Sequence, residues 1–199
     1  ALMLGRAGAH TVLSARTVPE LESVKAEIVR HGGSAECVPA DLAREDDILA
    51  MFAALQERHG RLDILVNNAG VGLYGPTVDF ATRDFDRVLA INLRAAFLCC
   101  RQAMKLMIPR RSGYVINIAS VVGFKGYPEQ AAYTASKHGV VGLTKSMAAE
   151  AQAHGIRFSV VEPGGTDTDM VRQARPDIPA EGLLQPGDVA AAGEYLVSL

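Results

Sequence analysis

The sequence predicts an α/β chain, a doubly wound parallel sheet with helices on both faces. Short, mostly apolar runs rich in β-branched residues, such as Tyr114–Ala119 and Ile156–Val161, read as strands buried in a parallel sheet. Segments of helical period separate these runs along the chain. The chemistry-bearing residues gather just past the strand ends, where an open α/β sheet presents groups to a ligand.

A chain of 199 residues suits one domain, 1–199, with a sizeable core. Its 49% hydrophobic and 21% charged content is ordinary for a globular protein. The net charge of -2 argues against a nucleic-acid or membrane partner held by a basic face. With no apolar run of membrane-spanning length and no signal peptide, a cytoplasmic location is expected. Cys37, Cys99 and Cys100 are odd in number and lack metal-ligand spacing, so they read as small buried apolar residues and no metal is expected.

In order, Ala1–Gly8 reads as the end of a helix closed by a left-handed glycine. Thr11–Ser14 follows as a strand. Pro19–His31 is an amphipathic helix with Pro in its first turn and Gly32-Gly33 after it, and Ala35–Pro39 is the next strand. Glu45–His59 places Ile48, Leu49, Phe52 and Leu55 on one face and is capped by Gly60. Leu62–Val66 is a strand running into Asn67-Asn68-Ala69-Gly70, a turn whose small residues allow close backbone approach and whose amide side chains tie neighbouring strand ends together. Arg83–Ile108 is one long, broadly apolar helix interrupted by Asn92, whose poor helix propensity calls for a solvent-facing or functional reason. Strand Tyr114–Ala119 stops at Ser120, and a Gly- and Pro-containing loop leads to a helix over Ala131–His154. Tyr133 and Lys137 are four apart and share a face of that helix. After strand Ile156–Val161 comes Pro163-Gly164, then a polar, Pro-containing stretch over 170–185 with the character of a substrate lid. A last helix begins at Pro186-Gly187-Asp188.

Ser120 thirteen residues before Tyr133, Lys137 one turn later, the Asn-Asn-Ala-Gly turn, and Pro163-Gly164 followed by Thr168 together resemble the short-chain dehydrogenase/reductase family. The likeness is to its ordinary, non-extended branch of 3-oxoacyl reductases and hydroxysteroid-type dehydrogenases. It implies a Rossmann-type domain that moves a hydride between nicotinamide and a ketone or secondary alcohol. Tyr133 would be the general acid/base, and Lys137 would lower the phenol's pKa and hold the nicotinamide ribose. Ser120 would bind the substrate oxygen, and Asn92 would hold a water linking Lys137 to solvent.

The resemblance also supplies cofactor contacts: Ser14 and Arg16, Asp41 and Leu42 at the adenine, Asn68, Ala69 and Gly70, Tyr133 and Lys137, then Pro163, Gly164 and Thr168 at the nicotinamide. Family members preferring NAD(H) carry an acidic residue where this chain has Ala15 followed by Arg16. A guanidinium suits a 2′-phosphate, so NADP(H) is expected over NAD(H), the plain alternative being that Arg16 is a solvated loop charge. Asp41 reads equally as a loop or cap carboxylate, and Glu162 departs from the smaller residue expected before Pro163. Val122, Gly123, Tyr127 and Met170 would shape the substrate pocket.

In the family a first strand and a glycine-rich turn precede the opening helix, and one more strand follows the last helix. The sequence shows neither, so it looks like an incomplete copy, with two mid-sheet strands expected to carry unpaired edges. The full protein would assemble as a homotetramer or homodimer through helices 83–108 and 131–154. The competing functional readings are a non-catalytic binding or regulatory subunit, and an epimerase or dehydratase of the extended branch, for which the chain after Pro163 has no room.

Overall fold

The computed structural model describes residues 1–174 and 178–199. Among the described residues, five parallel strands and eight α-helices run in the order α1 (Leu2–Arg6), β1 (His10–Leu13), α2 (Val18–Arg30), β2 (Ser34–Cys37), α3 (Glu45–His59), β3 (Ile64–Asn67), α4 (Thr82–Leu89), α5 (Ala95–Met107), β4 (Gly113–Ile118), α6 (Ala131–Ala151), β5 (Ile156–Val161), α7 (Asp169–Ala174) and α8 (Pro186–Ser198). The expected lid falls partly on residues 175–177, which lie outside the described residues.

The sheet is in two parts. β1 pairs with β2, and β4 lies between β3 and β5, all in parallel. Among the described residues β1 and β3 each have a strand on one side only, the unpaired edges the sequence reading anticipates. Val66 on β3 is 40% exposed as a result, unusual for an apolar residue in a parallel sheet. Leu13 of β1, Leu21 and Ile28 of α2 and the partly buried Leu2, Ala35 and Cys37 form one small core. The larger core joins Ile48 and Phe52 of α3, Leu98 to Met107 of α5, Val115 of β4, Met147 and Ala151 of α6 and Ile156 of β5. On the other side of β4, Tyr114 carries the Arg157 guanidinium 4.1 Å above its ring centroid, in a depression that Val197 of α8 also lines.

Local chemistry explains the boundaries. Three acidic residues open α3 and Arg58 and His59 end it, matching the helix dipole. Gly60 closes it at φ 64°, a left-handed turn that costs other residues energy. The helix expected over Arg83–Ile108 is continuous in course, yet residues Ala90–Arg94 form a π turn between α4 and α5. Of the cysteines, Cys99 and Cys100 are buried as expected, but Cys37, at the end of β2, is only half-buried.

Candidate active site

Four of the five strands, β1, β3, β4 and β5, end at residues flagged by the sequence. Ser14 and Arg16 follow β1, Asn68 to Gly70 follow β3, Ser120 follows β4, and Pro163-Gly164 follow β5. Asp41 and Leu42 lie four and five residues past β2. Parallel pairing within each part of the sheet sends these ends to one rim of that part.

Ser120 is held in extended backbone at the start of a short 3-10 turn, Val121–Gly123. Its Oγ accepts from the Val122 amide at 3.4 Å and donates to the Pro163 carbonyl at 3.5 Å, so the hydroxyl bridges the ends of β4 and β5. Tyr133 sits in the first turn of α6 with its ring edge-on to Tyr74, the centroids 5.7 Å apart. Lys137, one turn later, is 4% exposed, and its ammonium lies 5.6 Å from the centre of the Tyr133 ring. That ammonium donates to the Ile118 carbonyl at 2.9 Å.

Burial sets the protonation of this pair. Desolvation brings the Lys137 ammonium down from 10.5 to about 8. It raises the Tyr133 phenol above its ordinary value, against an opposing pull from the Ser120 hydroxyl. The sequence reading has Lys137 lowering the phenol's pKa; here burial wins, because the ammonium's hydrogen bond goes to Ile118 and does not reach the phenol oxygen. At neutral pH the site therefore holds a neutral phenol beside a protonated amine.

Asn92 lies in the π turn and is 3% exposed, so the solvent-facing explanation for a mid-helix Asn fails. Its Oδ1 accepts from the Val71 amide at 2.8 Å, and its Nδ2 donates to the Val71 carbonyl at 2.9 Å and to Ser136 Oγ at 3.0 Å. A π turn inserts an extra residue into the helical ladder and often marks a functional position; this one aims an amide at the loop after β3. A β-carbon built on Gly70 would lie 3.4 Å from Asn92 Oδ1 and 3.7 Å from Lys137 Nζ. Gly70 thus marks where the backbone of the Asn-Asn-Ala-Gly turn passes between the two side chains.

The remaining flagged residues divide. Ser14 Oγ is buried with no hydrogen-bond partner, and the Arg16 side chain is exposed and makes no ion pair among the described residues. Asp41 spends Oδ1 on its own turn, accepting from the Ala43 amide at 3.0 Å, and Leu42 packs against the large core. Asn68 and Ala69 are exposed. Thr168 uses its hydroxyl locally, donating to the Thr166 carbonyl and accepting from the Val171 amide. Val122 and Gly123 are buried while Tyr127 is 44% exposed. Glu162 packs Oε1 unpartnered against the Gly123 backbone.

Sequence reasoning assigns strand-end tying to the amides of the turn without distinguishing them. The structure gives it to Asn67, whose Nδ2 donates at 2.8 Å to Asn117 on β4, and Asn117 in turn donates at 2.8 Å to Thr144 of α6. Asn117, Thr144 and Ser136 are all buried, and nothing in their spacing announces them. Tyr74, its own phenol pushed up to about 12 by burial, was also missed; its signal is an aromatic four residues past Gly70.

An unpartnered buried hydroxyl at Ser14, a free guanidinium at Arg16 and a glycine wedged between Asn92 and Lys137 fit a phosphorylated dinucleotide lying along the strand ends. Residues 1–179 match the short chain dehydrogenase family. A 3-oxoacyl-[acyl-carrier-protein] reductase of Synechocystis sp. is 35% identical over 204 residues, covering 100% of this chain and 83% of that protein. An inactive 2-(S)-hydroxypropyl-CoM dehydrogenase 2 of Xanthobacter autotrophicus is 38% identical over 207 residues, covering 97% and 89%. A metagenomic short-chain oxidoreductase solved in complex with NADP superimposes with a TM-score of 0.89 at 39% identity, over 100% of this chain and 84% of the other. On the match over residues 1–179 and on these relatives, this chain belongs to the short-chain dehydrogenase family.

Proposed function

We propose that the chain carries out NADP(H)-dependent hydride transfer between nicotinamide and a ketone or secondary alcohol. The observation that carries this reading is the packing of the Tyr133 phenol beside the Ser120 hydroxyl and the buried Lys137 ammonium. A bound nicotinamide supplies or accepts the hydride. Ser120 orients the substrate oxygen by a hydrogen bond. Tyr133, a neutral phenol at neutral pH, donates its proton to that oxygen in reduction and takes it back in oxidation. Lys137 offers a positive charge that favours the phenolate once its donor turns from Ile118 toward the reacting atoms. Asn92 holds the Val71 loop and Ser136 in place, and so fixes the wall behind Lys137.

Arg16 supports NADP(H) over NAD(H), because an exposed guanidinium without an ion-pair partner is available to a 2′-phosphate. Asp41, Leu42, Asn68, Ala69, Pro163, Gly164 and Thr168 would line the same dinucleotide. The substrate is a small molecule. Among the described residues no helix is long and apolar enough to cross a membrane. Phe85 and Phe97 are 38% and 40% exposed beside a groove lined by Leu89, Leu93 and Leu143. This apolar face supports pairing of two copies through 83–108 and 131–154.

A second reading, a family member that binds without turning over, draws on the inactive relative and on the phenol's raised pKa. Tyr133→Phe separates the two. The variant loses turnover of a ketone panel with NADPH and keeps NADPH affinity within about twofold. Equal loss of both marks Tyr133 as structural, and a wild-type chain that binds NADPH but reduces nothing favours the second reading.

A further inference from the structure

At the other end of β1 from Ser14, three side chains from separate elements converge. His10 opens β1 and is paired in register with Ser34 of β2. Glu36 is two residues after Ser34, so it projects from the same face of the sheet. His59 is the last residue of α3, directly before the left-handed Gly60. His59 Nε2 lies 2.8 Å from Glu36 Oε1, and the two imidazole rings are 5.1 Å apart, tilted by 50°. One nitrogen from each histidine and one carboxylate oxygen all lie within 4.8 Å of one another.

We infer that His10, Glu36 and His59 form a binding site for a divalent transition-metal ion of the zinc class. Zinc bonds imidazole nitrogen and carboxylate oxygen at about 2.0 to 2.2 Å, which puts tetrahedral ligands about 3.3 Å apart. Swings of an ångström or so at surface side chains bring these donors to that spacing. The donor set of two imidazoles and one carboxylate suits zinc, nickel or copper and is unsuited to magnesium or calcium, which prefer oxygen cages.

Two further features belong to a metal site. Ser34 Oγ sits 2.9 Å from His10 Nδ1, so the ring is held by one nitrogen while Nε2 has no partner among the described residues. Metal-ligating histidines are characteristically oriented this way through their second nitrogen. Glu36 is 24% exposed and His59 30% exposed at their side chains, so an ion reaches them from solvent and a water completes the coordination.

The neighbourhood also sets a limit. Arg58 Nη1 lies 3.2 Å from Glu36 Oε2, and its positive charge opposes a dication. The site is therefore of moderate affinity, and the opposition gives a test that non-specific binding does not pass. β1 rises about 3.3 Å per residue, so the cluster lies more than 10 Å from the Ser14–Arg16 turn. Its role is to clamp β1 and β2 to the end of α3, independent of the proposed hydride chemistry.

The full chain, stripped of metal by a chelator, is titrated with zinc chloride by calorimetry in a non-coordinating buffer. One equivalent binds. His10→Gln and His59→Gln each weaken binding at least about tenfold, a loss at the scale seen when metal-site partners are removed, while Arg58→Gln tightens it. Zinc raises the melting temperature of the wild type and leaves that of the histidine variants unmoved. If a histidine variant does not fold, wild-type NMR decides: zinc shifts the ring signals of His10 and His59 and leaves those of His31, His138 and His154 in place. No binding, binding unchanged in both histidine variants, or equal shifts of all five rings overturns the inference.

Discussion

Replacing Lys137 by Met tests whether burial of that ammonium is held against the fold's own stability. The side chain is 4% exposed, and desolvation lowers its pKa from 10.5 to about 8. At about 1.4 kcal/mol for each tenfold change in proton affinity, that fall corresponds to about 3 kcal/mol lost at neutral pH. Met keeps the apolar stem and removes the charge. It also strips the Ile118 carbonyl of its 2.9 Å donor, which costs about 1 to 3 kcal/mol if no water replaces it. The two effects nearly cancel at one pH, so the informative quantity is the pH dependence. Since the folded chain holds this proton less tightly than the unfolded chain, the wild type loses stability as pH falls through about 8 and regains it as pH rises to 10.5. Between neutrality and about pH 9.5 the wild type gains about 2 kcal/mol relative to Lys137→Met, from the same two proton affinities. Urea unfolding of both proteins across that range measures the difference. Parallel stability curves would show that the ammonium is well solvated and that its burial is not what tunes the site.

Asn92→Ala leaves the Val71 amide and carbonyl without the partner they have at 2.8 and 2.9 Å, and strips Ser136 Oγ of the donor at 3.0 Å while its own bond to the Tyr133 carbonyl remains. It lowers the unfolding free energy by about 2 to 4 kcal/mol, read from urea midpoints. Arg16→Ala weakens NADPH binding by about 10- to 100-fold through loss of charge-assisted phosphate contacts and leaves NADH binding almost unchanged, as fluorescence titration with the two nucleotides would show.

What was legible in the sequence was what local chemistry determines. The bounds of α3 follow from its acidic first turn, its apolar stripe and Gly60, and β5 follows from a short, mostly apolar run that ends in Val160 and Val161 before Pro163. β4 and β1 were each placed one residue late, because strand ends depend on which neighbour donates and not on the run itself. Asn92 was legible as an anomaly but not as a π turn, since the pull on its helix comes from Val71 and Ser136, 21 residues before it and 44 after. The Asn67–Asn117–Thr144 chain links three elements across a 50-residue and a 27-residue separation and has no spacing to find. The direction of the Tyr133 pKa is not legible for a related reason. A four-residue spacing reports that Lys137 is near, whereas burial and the pull of Ile118 are properties of the assembled cleft.

The divided sheet separates two jobs. Every residue proposed to act on the reacting atoms belongs to β4, α6 and the loops and helices around β3, all within the three-stranded part. Arg16, Ser14 and Asp41, which would grip the far end of the dinucleotide, belong to the two-stranded part with its own small core of Leu13, Leu21 and Ile28. No backbone ladder joins the parts among the described residues. Side-chain packing ties them at more than one place: Glu36 to Arg58 and His59 of α3, Leu42 against the large core, and α1 against α8, which itself lies on β5. Within the three-stranded part, Glu45 of α3 is paired to Arg94 and Arg101. Exposed pairs of this kind are each weak, so the apolar packing of Leu42 against the large core carries more of the connection than they do. Under the proposed function, the residues that would reach the far end of the dinucleotide and those that would act at the reacting atoms therefore sit on different parts of the sheet, joined by side-chain packing and not by a backbone ladder.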